Sequence, residues 1–123
     1  WSKFVLFSGV SGVTAAARCR IGDILDSPEL TALFRTLVAE TAALARARRV
    51  AVADDVEARV FDAIQRLPRE MRASTAIDLE KGAALETEWI NGAVARLSAE
   101  AGLSAPANQA ISAVLSLYKD GPR

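Results

Sequence analysis

Apolar residues recur every three to four positions along almost the whole chain, and nowhere do they settle into a clean two-residue alternation. No Asn-Gly or Asp-Gly turn joins two alternating runs, so strand hairpins have no sequence support. Segments patterned in this way bury their stripes only by packing helix on helix. The expected fold is therefore all-α, a compact multi-helix bundle that takes residues 1–123 as a single domain. With 51% hydrophobic residues the chain has enough apolar surface for one core, and no repeat, low-complexity tract or linker divides it.

Capping residues and breakers place the helices. The first spans 2–18, and 19–26 reads as a loop. Ser27, Pro28 and Glu29 then supply an N-cap, a proline in the first turn and a carboxylate at the positive helix end. The long helix that follows carries Leu30, Phe34, Leu37, Val38 and Leu44 on one stripe, and Arg46, Arg48 and Arg49 at its negative end. Asp54 and Asp55 cap a helix with the stripe Val56, Val60, Ile64 and Leu67, stopped by Pro68. Ser74 is expected to cap a short helix running to Leu79, with Lys81-Gly82 as its stop. A helix over 86–101 presents Trp89, Ile90, Val94 and Leu97 and ends at Gly102. Beyond Pro106 a last helix presents Ile111, Val114, Leu115 and Tyr118.

Charge and composition narrow the function. Fifteen basic and fifteen acidic side chains cancel, so no net field draws the chain to nucleic acid or to an anionic membrane. There is no histidine and only one cysteine, Cys19, which leaves a zinc site or a histidine-based triad without its residues and makes a metal site unexpected. The apolar run 4–17 is interrupted by Ser8, Gly9, Ser11 and Gly12 and is too short to span a bilayer. Arg18 and Arg20 follow that run, whereas a signal peptide has its basic residues in front. The reading is a cytoplasmic protein. The sequence begins without methionine, inside an apparent helix, which suggests a piece of a longer chain.

Acid–base chemistry must then come from lysine, tyrosine or carboxylates. Lys3 stands in the first helical turn, where the positive helix end disfavours a cation. Two roles are open to it: proton donor, or a snorkelling side chain whose stem covers apolar surface. The stretch "STAIDLEKGAALETEWING" gathers Ser74, Asp78, Glu80, Glu86, Glu88 and Asn91 near two helix starts. Gly92 follows, although glycine within a helix costs about 1 kcal/mol relative to alanine and so asks for a packing reason. Caps and first-turn carboxylates account for these residues as readily as a site does.

Taken in order, "WSKFV", "IGDI", "LVAETAALAR", "STAIDLEKG", "ETEWING" and "GLSAPANQAI" resemble the C-terminal domain of the ketopantoate reductase (2-dehydropantoate 2-reductase) family over essentially the whole chain. The spacing of Ser74, Asp78, Glu86, Asn91 and Gly92 carries most of that resemblance. It implies a helical substrate domain of the 6-phosphogluconate dehydrogenase C-terminal-like kind, paired in the same polypeptide with an N-terminal Rossmann domain that binds NADPH. It also implies reduction of ketopantoate, or a related small 2-oxo acid, to the 2-hydroxy acid on the route to pantothenate. On this resemblance Lys3 and Glu86 are the catalytic residues and Ser74 binds substrate, while Asp78 and Asn91 hold local architecture.

Where better-known members of the family place asparagines four and eight residues after the lysine, this chain has Phe7 and Ser11. Ser11 keeps a shorter polar reach and is the second candidate substrate contact, whereas an aromatic ring at position 7 cannot make an amide's hydrogen bonds. Leu85 replaces a usual threonine. No Gly-x-Gly-x-x-Gly turn occurs in the chain, so these residues alone are expected to show no reductase activity. The alternative from a different class is a non-catalytic helical dimerisation module, and a homodimer is expected under either reading.

Overall fold

The computed structural model describes residues 1–82, 90–118 and 120, and among these every regular element is helical. In chain order the helices are α1 (Ser2–Ala16), α2 (Ile21–Asp26), α3 (Pro28–Ala47), α4 (Val56–Arg66), α5 (Ser74–Lys81), α6 (Asn91–Glu100) and α7 (Pro106–Leu115). A 3-10 turn, Ser116–Tyr118, closes the series.

The bundle is organised around α1, which packs against α2, α3, α4, α5 and α7. Every residue from Ser8 to Ala15 is buried, so this helix has no solvent face along its second half. That explains why it is apolar and small-residued all round rather than striped. A Cβ at Gly9 would lie 2.6 Å from Phe34 Cε2, which shows how closely α1 and α3 approach. The buried hydroxyls on α1 are all paired. Ser8 Oγ donates to Val5 O (2.9 Å) and lies 2.9 Å from Thr41 Oγ1, and Thr14 Oγ1 donates to Val10 O (2.7 Å).

Helix α3 starts as its sequence dictates. Pro28 takes the first position, and Ser27 Oγ accepts from the Leu30 N–H at 3.2 Å. Phe34, Leu37, Val38 and Leu44 are buried on the expected stripe, and Val56, Val60 and Ile64 of α4 likewise. Gly82 ends α5 in the left-handed conformation (φ 73°), and Gly102 has φ 74° just after α6.

Five expectations require correction. The segment 19–26 is not all loop: Ile21–Asp26 is helical, with Ile21, Gly22 and Ile24 buried and the Asp23 carboxylate accepting from the Arg20 N–H at 3.0 Å. The first helix stops at Ala16, because Arg18 turns left-handed at φ 53°. Asp55 does not cap α4, its carboxylate being taken by Arg59 at 2.7 Å. Ser74 is the first residue of α5 rather than its cap. The buried Ala73 holds the extended position before the helix, and Ser74 stays exposed. Finally, Val114 is 57% exposed and α7 gives way to the 3-10 turn after Leu115, so the last stripe is narrower than its sequence suggests.

Candidate functional site

An open groove of about 570 Å3 lies between α1 and the segment joining α4 to α5, with a charged side chain at its rim. One wall is the α1 face carrying Lys3, Phe7 and Val10, spaced at three to four residues so that they stack along the helix. The other wall consists of Leu67, Met71 and Ala73. Lys3 is exposed, and among the described residues it is the one polar or charged side chain that lines the groove. It forms no ion pair with any described carboxylate. The ammonium therefore sits at the rim of an apolar channel, free to meet an anion or a carbonyl oxygen.

The second wall is held by α2, the helix that the sequence reading missed. The Ile21 and Gly22 N–H groups donate to Met71 O (3.0 Å) and Arg69 O (2.8 Å), and Arg20 Nη1 donates to Glu70 O (2.7 Å). Arg69 reaches back to Gly22 O (3.3 Å) and pairs with Asp26, while Arg72 pairs with Glu80. A segment without regular structure is thereby fixed along 69–72, and Met71 is presented to the groove at 43% exposure.

The sequence-predicted site residues separate. Lys3 lies on the groove, and Ser74 follows the groove-lining Ala73 directly, with its side chain exposed at the start of α5. Ser11 does not face the groove. It is 1% exposed, and its hydroxyl donates to Thr75 Oγ1 at 2.8 Å, tying α1 to the start of α5. The hydroxyl expected to touch substrate thus serves in this structure as a tie between two helices, its one proton used inside the core. Glu86 and Leu85 lie outside the described residues. Phe7, partly buried against the core, contributes its ring to the groove. Cys19 is elsewhere and buried. Burial, and then the negative charge of Asp23, raise its thiol above the ordinary value, which makes a nucleophilic thiolate less accessible. Among the described residues no group of three metal-ligating side chains comes together.

The chain matches the family described as ketopantoate reductase PanE/ApbA C terminal over residues 1–119. The chain belongs to the ketopantoate reductase family. It is 28% identical over 117 residues to the 2-dehydropantoate 2-reductase of Archaeoglobus fulgidus, covering 90% of this chain and 37% of that protein. To the Mycobacterium tuberculosis enzyme of the same name it is 32% identical over 94 residues, 76% of this chain and 32% of the relative. It thus spans about a third of the length of the curated relatives it matches. Among solved structures, a dimeric ketopantoate reductase from Staphylococcus aureus superposes with a TM-score of 0.89 at 26% identity, over 97% of this chain and 42% of the other.

In this ketopantoate reductase family domain a second polar cluster lies away from the groove and is closed on itself. The Asn91 amide donates to Ser8 O (3.0 Å) and to Asn108 Oδ1 (2.9 Å). The Asn108 amide donates in turn to Glu40 Oε1 (2.9 Å) and Leu37 O (3.4 Å). Glu40 accepts the N–H groups of Ala107 (3.0 Å) and Asn108 (2.9 Å), so a carboxylate from α3 caps the start of α7, whose own N-cap, Ala105, offers no side chain for the task. Asn91 is 1% exposed and Asn108 fully buried. Gly12 is small because the Asn91 amide passes it, 3.0 Å from where a Cβ would stand. The architectural role expected for Asn91 agrees with this geometry. Asp78, given the same role, has no side-chain hydrogen bond among the described residues.

Proposed function

We propose that this domain supplies the acid catalyst and the substrate cleft of a nicotinamide-dependent reductase that converts a small 2-oxo acid to its 2-hydroxy acid. The observation that carries the reading is Lys3: a cation on the rim of an apolar groove, with no ion pair to any described carboxylate, in a domain of the ketopantoate reductase family. When bound, the reduced nicotinamide supplies hydride to the carbonyl carbon. As that bond forms, the carbonyl pair moves onto oxygen, and the Lys3 ammonium donates a proton to it. The resulting amine is reprotonated from water. Before transfer the same ammonium attracts the carbonyl oxygen and the neighbouring carboxylate, which orients the acid on the rim. Ser74 offers a hydroxyl beside the groove, and Glu86 is the second catalytic residue in this reading, contacting substrate and helping to position Lys3.

Cofactor binding falls outside these residues. The sequence has no Gly-x-Gly-x-x-Gly turn, and among the described residues there is no sheet edge on which a dinucleotide could lie. The reading therefore includes an N-terminal Rossmann domain of the same polypeptide that binds NADPH and closes over the groove. The exposed Val114 and Leu117 (57% and 58%) offer apolar surface for a homodimer, and a lone free thiol at Cys19 suits a reducing cytoplasm. The test is turnover of the full-length protein with NADPH and with NADH across a panel of 2-oxo acids. Reduction of at least one acid by the intact protein, and of none by the 123-residue domain alone, is the expected result. No reduction of any acid by the intact protein would remove the reading.

A further inference from the structure

We infer that the substrate is a 2-oxo acid with a bulky, wholly apolar side chain, and that Phe7 is the residue that selects it. The inference rests on the reductase reading and concerns what lies beside the reacting carbonyl. A substrate held at Lys3 has its charged end fixed, because among the described residues only that side chain on the groove is polar. Within the described part of this domain its other end then lies along Phe7 and Val10 on one side and Leu67, Met71 and Ala73 on the other. None of these five side chains carries a hydroxyl, an amide or a charge. The next polar residues along α1, Ser8 and Ser11, are 0% and 1% exposed, with Ser8 Oγ on Val5 O and Thr41 and Ser11 Oγ on Thr75.

A hydroxyl on the substrate's side chain finds no partner on these five residues, and Ser74 stands beside the groove rather than among the residues that line it, whereas a phenyl or branched alkyl group loses nothing on leaving water. At about 570 Å3 the groove falls in the range that houses small-molecule ligands, roughly 300–1,000 Å3, so an aryl side chain fits without displacing either wall. Specificity of this kind is the ordinary result of hydrophobic walls beside a single ionic anchor.

The experiment compares kcat/KM of the full-length protein for three acids that share the 2-oxo carboxylate: 3,3-dimethyl-2-oxobutanoate, its 4-hydroxy derivative and phenylpyruvate. Each comparison is a ratio within one preparation, so the folded fraction of a variant cancels. The two apolar acids should exceed the hydroxylated one by about tenfold or more, and Phe7→Asn should move that ratio at least about fivefold towards the hydroxylated acid. Phe7→Leu, which keeps the wall apolar, should leave the order unchanged. Preference of the intact protein for the hydroxylated acid, or a ratio in Phe7→Asn within twofold of the parent's, would overturn the inference while leaving the reductase reading intact. No turnover of any of the three acids, or of the wider panel, would overturn both.

Discussion

Two polar regions of this domain face α1 from different sides and obey opposite rules. Around Asn91, Asn108 and Glu40 every donor that the network offers meets an acceptor within the protein, and both amides are buried. At the groove, Lys3 is a charged group among apolar neighbours with no described carboxylate to pair with it. A completed network offers a ligand nothing to bind and a great deal to break, whereas an unpaired cation beside an apolar channel contributes little to folding and awaits an anion. The lesson is that polarity alone does not mark a site. Hydrogen-bonding capacity left unused does.

Substitutions sharpen the contrast when stability and turnover are read on the same full-length protein. The largest effect is expected at Lys3→Ala, with kcat/KM lower by about a hundred- to a thousandfold and the unfolding midpoint nearly unchanged, since the side chain is exposed. Asn108→Ala should do the reverse. It leaves the Asn91 amide and Glu40 short of a partner and should cost about 2–3 kcal/mol in denaturant unfolding, while the folded protein keeps kcat/KM within a few-fold. Equal losses of stability at both positions would erase the distinction.

Gly9→Ala comes next. Its Cβ would meet the Phe34 ring at 2.6 Å, so α1 and α3 must separate at a cost of about 1–3 kcal/mol. Ser11→Ala removes the tie to Thr75 and should cost about 1 kcal/mol, with a rise in KM only insofar as α5 shifts Ser74. A Ser11→Ala variant with full stability and a large rise in KM would instead restore Ser11 as a substrate contact.

The smallest effect belongs to the Arg46–Glu57 pair, bidentate at 2.9 and 2.7 Å on the surface. The hydrogen bonds from Arg46 hold the Glu57 carboxyl below its ordinary value. A lowered carboxyl stabilises the fold above the unfolded-state range and loses that contribution as pH falls from about 4.3 towards the folded value. Both side chains are 41% exposed, so Glu57→Gln should cost only a few tenths of a kcal/mol at neutral pH, and nothing once both carboxyl forms are protonated. A cost that persists unchanged at low pH would point to packing rather than charge.

The contrast also explains what could be read in the sequence. Long helices with strong caps were legible: Ser27-Pro28 fixed α3, and the glycines after α5 and α6 adopt the left-handed stops their positions call for. The six-residue α2 was not, since a helix under two turns shows no full hydrophobic period and is stabilised by Met71 O and Arg69 O, some fifty positions away. Lys3 drew notice because its charge conflicts with its neighbours along the chain, and its catalytic role came from the family resemblance. Glu40 and Asn108, 68 residues apart, conflict with nothing locally, and only folding brings the carboxylate to the start of α7. Ser11 entered through the resemblance, eight residues after the lysine, and its packing partner was not legible: α5 takes up its hydroxyl through Thr75.

The most direct measurement is the position of Lys3 in a crystal structure of the full-length protein with NADPH and a 2-oxo acid. Lys3 Nζ should lie within about 2.7–3.2 Å of the substrate's carbonyl oxygen, with the substrate side chain against Phe7 and no ligand atom touching the Asn91–Asn108–Glu40 network. A substrate bound with Lys3 pointing to solvent and the groove covered by protein would contradict the division of the domain into site and scaffold.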